Sequence, residues 1–396
     1  MSDFTTVEYQ GRIKLLQEKM KAKEIGLAII TRNPDIYYYT GSVQPLYFIL
    51  PASGEGFVLA RKAIKRIETQ VRHLVLEVFN NTQDLIALIS HHQLDKVKQI
   101  GFTLDSISYA SIQYWQKLFP GITVTDLSWD IRTLRLVKSE AEIRIQAKAG
   151  AIMEHLPEWI RSEFQPGMSE LELSAAIEKY MRENGHTGLV RCHREGIEMG
   201  LGVCSAGINS LAGNKFDGVC AGTGITPAVS FGAGKEPIPK GVPVTLDYAF
   251  NLDGYHIDQT RMFCWGEPPK QVIEAYRGMT EIEQSIFDLL QPGTTWEKTY
   301  QKAVQLAEEL GYAEGFMGLG AEKVRFVGHG IGLELDEPPL IAPKMEEQFE
   351  ENMVVAVEPK VAISGVGVVG IEDTVVIKQD GYQLLTTCPK ELIIVK

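Results

Sequence analysis

Through roughly the first 135 residues the chain alternates short apolar runs with helix-periodic stretches. The runs 26–30 (GLAII) and 46–60 (LYFILPASGEGFVLA) read as β-strands, while 9–23 and 108–118 carry helical spacing. This alternation predicts an α/β unit over 1–135. The tract 134–154 (LRLVKSEAEIRIQAKAGAIME) is charged and helix-periodic. It is expected to link the first unit to a second, 136–396, and to open that second unit.

In the second unit the period changes to two. Asp253-Gly254 is a strong two-residue turn signal between two β-like runs. A hairpin closed there without a bulge sets Leu252 opposite Tyr255 and Asp247 opposite Thr260. Asp258 then shares a face with Asp247, one diagonal step away. A second hairpin drawn about Gly365 sets Glu358 opposite Glu372. A weak repeat accompanies these hairpins. Gln165-Pro166-Gly167 and Gln291-Pro292-Gly293 each precede a capping-box pattern, Ser169 to Glu172 and Thr294 to Glu297. Each helix so opened reaches a glycine, Gly185 or Gly311. The offset of 126 residues between copies predicts a duplicated α/β half with pseudo-twofold symmetry.

The same strands carry the candidate chemistry. Asp247, Asp258, His329, Glu358 and Glu372 lie in the segments LDYAFNLDGYHIDQTR, VGHGIGLELDEPP, VVAVEPKVAI and GIEDTVVI. Four carboxylates among apolar neighbours repel one another and are poorly solvated. Together with one imidazole they make a cage for two divalent cations, with Mn, Co, Fe and Zn all suited to the donors.

Composition narrows the class. The 396 residues are 44% hydrophobic and 23% charged, with net charge −12, an ordinary globular balance with room for two cores. No basic stripe exists to neutralise phosphates, so nucleic acid is not an expected partner. There is no apolar run of spanning length and no signal-like apolar core at the start. Five cysteines without a CxxC pair (192, 204, 220, 264 and 388) read as reduced thiols of a cytoplasmic protein. His91-His92 reads as solvated surface. The GAGKEP turn with Lys235 and Glu236 lacks the spacing of a phosphate loop.

The ordered set DGYHIDQTR, GHGIGLELDEPP, VEPKV and GIEDTVVI resembles the metallopeptidase superfamily of methionine aminopeptidase, prolidase, aminopeptidase P and creatinase. The likeness extends to TRNPDIYYYTG in the first unit and LRLVKSEAEI in the linker. It implies an α+β fold: a pita-bread catalytic domain with a pseudo-twofold repeat, preceded by an α/β creatinase-like N-terminal domain. It also implies a homodimer. In that family's pattern Asp247 holds one metal, Asp258 and Glu372 bridge both, and His329 and Glu358 hold the other. Glu358 is also implied as the group that moves the proton. The activity implied is metal-dependent hydrolysis of small peptides with proline after the scissile bond. The alternatives are a non-peptidase member acting on a small metabolite, in the manner of creatinase, ectoine hydrolase or dimethylsulfoniopropionate lyase, and a metal-binding pseudo-enzyme.

The chain departs from the family pattern around the substrate. No histidine stands between Arg194 and Asp247, and Pro227-Ala228 occupies the segment where a Pro-His is usual. Asp336-Glu337-Pro338-Pro339 replaces a His-Glu-x-Pro tetrad, and Gly370 replaces an arginine. Removing one oxyanion donor costs on the order of 3 kcal/mol. Candidate replacements are His193, Arg191 and Arg194 in VRCHREG, and His256; Asp336, also a catalytic candidate, is a gained carboxylate expected to alter the electrostatics of the intermediate. A surface or structural role is the competing reading for each.

Overall fold

A six-stranded mixed sheet forms the centre of the first unit in the computed structural model. Residues 4–193 and 197–396 are described, and they divide into two compact units, Met1–Arg135 and Leu136–Lys396. In the first, β1 (Leu27–Ile30), β2 (Tyr47–Pro51), β3 (Phe57–Ala60), β4 (Val75–Val78), β5 (Gln99–Phe102) and β6 (Thr123–Asp126) run in the order β4-β3-β2-β1-β5-β6. Leu27, Ile29, Ile49, Leu59, Phe102 and Trp115 build one core beside it. The expected helix at 9–23 spans Thr6–Ala22. It begins earlier because the Thr5 hydroxyl accepts from the Glu8 amide and caps it. His92 corrects the surface reading of the histidine pair. Its ring stacks on Phe57 at 4.0 Å and meets Glu77 at 3.1 Å.

The second unit contains two halves. Strands β7 (Gly202–Ala206), β8 (Pro243–Leu252), β9 (Tyr255–Trp265) and β17 (Ile393–Val395) form one sheet in the order β17-β9-β8-β7. A five-stranded sheet follows the order β11-β10-β12-β15-β16, from β10 (Gly328–Gly330), β11 (Glu337–Leu340), β12 (Val354–Val357), β15 (Asp373–Lys378) and β16 (Gly381–Leu384). The short pair β13 (Lys360–Ile363) and β14 (Gly367–Gly370) stands beside it. Helices Glu170–Glu183 and Lys270–Phe287 bury their apolar faces in two separate cores, one for each half.

The repeat is visible in the backbone. The Ser169 side chain caps the helix Glu170–Glu183 with a complete capping box to Glu172. In the second half the cap is Thr295, not Thr294, for the helix Trp296–Glu309. The shift restores the 126-residue offset and puts Lys298 where Glu172 stands, so the second box is lost. Flanking contacts match one for one. Glu170 N donates to Glu236 O and Trp296 N to Glu347 O; His186 N donates to Met181 O and Tyr312 N to Ala307 O. Gly185 and Gly311 end the two helices at φ 99° and 83°, a conformation that favours glycine.

Candidate metal centre

The first hairpin delivers its aspartates as the alternation predicts. Asp253 and Gly254 both have positive φ, the requirement of the tight turn. The ladder pairs Leu252 with Tyr255, Asp247 with Thr260 and Ala249 with Asp258. The second hairpin keeps a single register on both sides of a break. Lys360 pairs with Gly370, and Val357 pairs with Asp373. Between these rungs, Glu358 and Glu372 face each other without being part of a strand. The break frees Glu372 to bridge Thr260 of β9, with Glu372 N donating to Thr260 O at 3.2 Å and Thr260 N donating to Glu372 O at 3.3 Å. Thr260 therefore sits between Asp247 and Glu372, and the two halves meet at the acids.

His329 arrives on β10. Its Nδ1 lies 3.1 Å from the Gly330 carbonyl, which can only accept, so this nitrogen carries the proton. Nε2 is turned toward the acids, 3.7 Å from Glu358 Oε1 and 4.0 Å from Glu372 Oε1. Glu372 Oε1 is buried and has no hydrogen-bond partner. One donor atom each from Asp258, His329 and Glu372 lie within 4.8 Å of one another. These separations are too long for hydrogen bonds and near twice a metal–ligand distance of about 2.0–2.2 Å. The three groups thus fit a divalent cation.

A residue that sequence reasoning passed over stands in the same cluster. The Lys360 ammonium is 2.6 Å from Glu358 Oε2, 2.9 Å from Glu372 Oε2 and 3.1 Å from Asp247 Oδ2. Its side chain is only 2% exposed. Burial alone would push its pKa down, but Asp247, Glu358 and Glu372 outweigh burial and hold it well above the ordinary lysine value. Burial raises the carboxyls of Asp247 and Glu372, with Lys360 opposing in both. Asp258 is raised furthest from the usual carboxylate range by burial, with Glu372 and Asp247 adding to it. The signal was available: a single lysine in the apolar run VEPKVAI, two residues after Glu358 and so on its face of an extended chain.

The other expected residues separate into two groups. Asp336 is half-buried and accepts from the His193 amide at 2.7 Å. Burial raises its pKa. His193 Nδ1 lies 3.4 Å from Glu334 Oε1. His256 requires a correction. It shares Asp258's parity, but its ring is locked into the framework. Nδ1 donates to Gly332 O at 2.9 Å, and Nε2 accepts from Arg191 N at 3.2 Å and from the Asn251 amide at 2.9 Å. Burial pushes its pKa down to about 4. Both nitrogens are satisfied in the neutral form, which is a structural arrangement. Ala228 lies on an exposed turn closed by Thr226 and Val229, and Arg194 lies outside the described residues.

Residues 143–379 match the model of metallopeptidase family M24, and residues 12–137 match the creatinase/prolidase N-terminal domain. The chain belongs to metallopeptidase family M24. This M24 chain is 26% identical to an Xaa-Pro dipeptidase of Pyrococcus horikoshii over 96% of its own length and 98% of the relative's. It is also 26% identical to an uncharacterized peptidase, YqhT, of Bacillus subtilis, over 92% and 95% of the two chains. Its fold matches the structure of an Xaa-Pro dipeptidase from Bacillus anthracis with a TM-score of 0.82 at 24% identity, covering 98% of this chain and all of the other. An M24 chain is a metallo-hydrolase by family, and the expected duplicated catalytic fold behind a creatinase-like domain holds. Among the described residues no helix is long and apolar enough to cross a membrane.

Proposed function

We propose that this protein is a metal-dependent peptidase cleaving small peptides at an Xaa-Pro bond. The observation that carries the reading is the convergence of Asp258, His329 and the unpartnered Glu372 oxygen in an M24 chain related end to end to an Xaa-Pro dipeptidase. A divalent ion held by these side chains would supply Lewis acidity, polarising a carbonyl and making a water molecule more acidic. The protein's own groups do the rest. Glu358 would carry a proton from the attacking water to the leaving amine, as the resemblance implies. Asp247 stands with Glu358 and Glu372 around Lys360, which keeps those carboxylates oriented and partly neutralised. Asp336, fixed by the His193 amide, adds negative charge beside His329, where it would favour a cationic part of a substrate such as a free amine. Mn, Co, Fe and Zn all suit the donor set. A homodimer, on the resemblance, and a cytoplasmic location, on the unpaired cysteines, belong to the same reading.

Purified protein loaded with Mn and tested on a panel of Xaa-Pro dipeptides and longer peptides is expected to release the residue before proline. Glu358→Gln is expected to lower turnover about a hundredfold or more, the scale of general acid–base assistance. Turnover of no peptide in the panel would overturn the reading. The second reading is a hydrolase or lyase of a small metabolite. Ala228 and Asp336, at positions where peptidases carry histidine, favour it. Mass-detected screening of small amidines, cyclic amides and sulfonium compounds distinguishes the two.

A further inference from the structure

We propose that the Lys360 ammonium takes the place of one of the two cations expected in this cluster, so that the site holds a single divalent ion among Asp258, His329 and Glu372. The inference rests on the metal-dependent reading above and fixes the composition of that site. The Lys360 Nζ touches Asp247, Glu358 and Glu372 at 2.6–3.1 Å. A metal using the same oxygens at about 2.0–2.2 Å would almost coincide with that nitrogen. Like charges at such a distance repel strongly inside a protein, where screening is weak. Swinging the lysine aside is opposed by its surroundings. The side chain is 2% exposed where it stands, and a displaced ammonium would lose three carboxylate partners and leave them uncompensated.

The strand opposite is shaped to receive this side chain. Gly370 pairs with Lys360 across β13 and β14, and a Cβ on Gly370 would come within 2.4 Å of Lys360 Cγ and 2.9 Å of its Cβ. Only glycine leaves that path open. The remaining acids divide accordingly. Lys360 engages Asp247 and one oxygen each of Glu358 and Glu372, whereas the second Glu372 oxygen is unpartnered and faces His329 Nε2. Asp258 is not among the carboxylates that Lys360 touches. Four carboxylates facing one ammonium leave three formal negative charges, and one divalent ion reduces them to one.

The test is metal stoichiometry, measured on the full chain after stripping and equilibration with Mn(II). Elemental analysis is expected to find one Mn per chain, and electron paramagnetic resonance to give the spectrum of an isolated ion. Lys360→Gly is expected to take up two Mn per chain and give a spin-coupled pair. Lys360→Met, which fills the space without charge, separates loss of the ammonium from loss of packing and is expected to bind the second ion more weakly than Lys360→Gly. If neither variant folds, the wild-type measurements decide alone. Two spin-coupled Mn ions per wild-type chain, or no Mn at all, would overturn the proposal. Peptide turnover is read separately. One bound Mn without hydrolysis of any peptide would defeat the peptidase reading and leave this one standing.

Discussion

The two halves of the catalytic unit share a plan and spend its equivalent positions differently. At the start of the first helix, Glu170 is a buried carboxylate accepting from Ala206 N, Gly234 N and Asn209 Nδ2, all at 2.6 Å. Its partner 126 residues later is Trp296, which lies in the core of the second half. One half thus uses the position to hold loops, the other to fill space. The hairpins differ in the same way. The first is an unbroken ladder whose acids project by simple alternation. The second interrupts its ladder at Glu358 and Glu372, and at the edge of that gap stands Lys360. A duplicated framework can keep its hydrogen-bond geometry while its side chains diverge, because the backbone bonds are indifferent to side-chain identity.

The strongest way to break the comparison is to cut the link between halves. Arg261 of β9 donates to Asp373 Oδ1 of β15 at 2.7 Å, and also to the carbonyls of Glu372 and Cys388. Arg261 and Asp373 are both essentially without exposure. Asp373→Asn leaves a buried guanidinium short of its counter-charge, which costs roughly 3–5 kcal/mol for a buried pair. Urea denaturation should register that loss. A change below about 1 kcal/mol, the size of an exposed pair, would mean that the halves are held by their other contacts, the Thr260–Glu372 backbone bonds among them, and not by this ion pair.

The link also marks where sequence reading stops. The first hairpin was legible because a turn signal and period-two alternation are local. The register of the second followed from the same arithmetic about Gly365, although its break did not. Thr260 meeting Glu372, and Arg261 meeting Asp373, depend on strands more than a hundred residues apart, for which the sequence has no local marker. Lys360 was legible in principle, since a charge inside an apolar run needs a partner. What the run could not tell is that the partners are the acids themselves. His256 misled for the opposite reason: parity gives the face of a strand, but not which backbone groups will satisfy a ring on that face.

A smaller effect separates the helix ends. His186 and Tyr312 occupy matching places, and their amides make matching bonds. The His186 Nε2 lies 3.1 Å from Ala249 O and Nδ1 accepts from Gly188 N at 2.8 Å, an arrangement that requires the neutral ring. Burial lowers its pKa, with the Ala249 carbonyl opposing. A depressed histidine pKa means the unfolded chain binds the proton more readily. The contribution of His186 to stability is therefore complete above the ordinary histidine pKa of about 6.5 and is lost as pH falls through its lower folded value. Burial raises the Tyr312 phenol, so it stays uncharged over that range. Urea midpoints at pH 8 and pH 5 should differ less in His186→Phe than in the wild type. An equal difference in both proteins would remove His186 as the source.

The smallest effect tests the caps, where the halves differ by one lost interaction. Ser169 Oγ accepts from Glu172 N, and the Glu172 carboxylate accepts from Ser169 N at 2.8 Å. Thr295 Oγ1 accepts from Lys298 N at 3.3 Å, and a lysine there has no acceptor to return the bond. Ser169→Ala removes one half of a reciprocal box and Thr295→Ala a single bond, so each is expected to cost about 0.5–2 kcal/mol, with Ser169→Ala the costlier. Lys298→Glu supplies the missing acceptor and places a negative charge in the first helical turn. It should stabilise the protein by about 0.3–1 kcal/mol, read as a rise in the urea midpoint. That gain should vanish when Lys298→Glu is combined with Thr295→Ala if the box acts as a unit. If the gain survives the double substitution, it comes from the new carboxylate itself, through the backbone amide at position 295 or the helix dipole, and does not need the threonine hydroxyl.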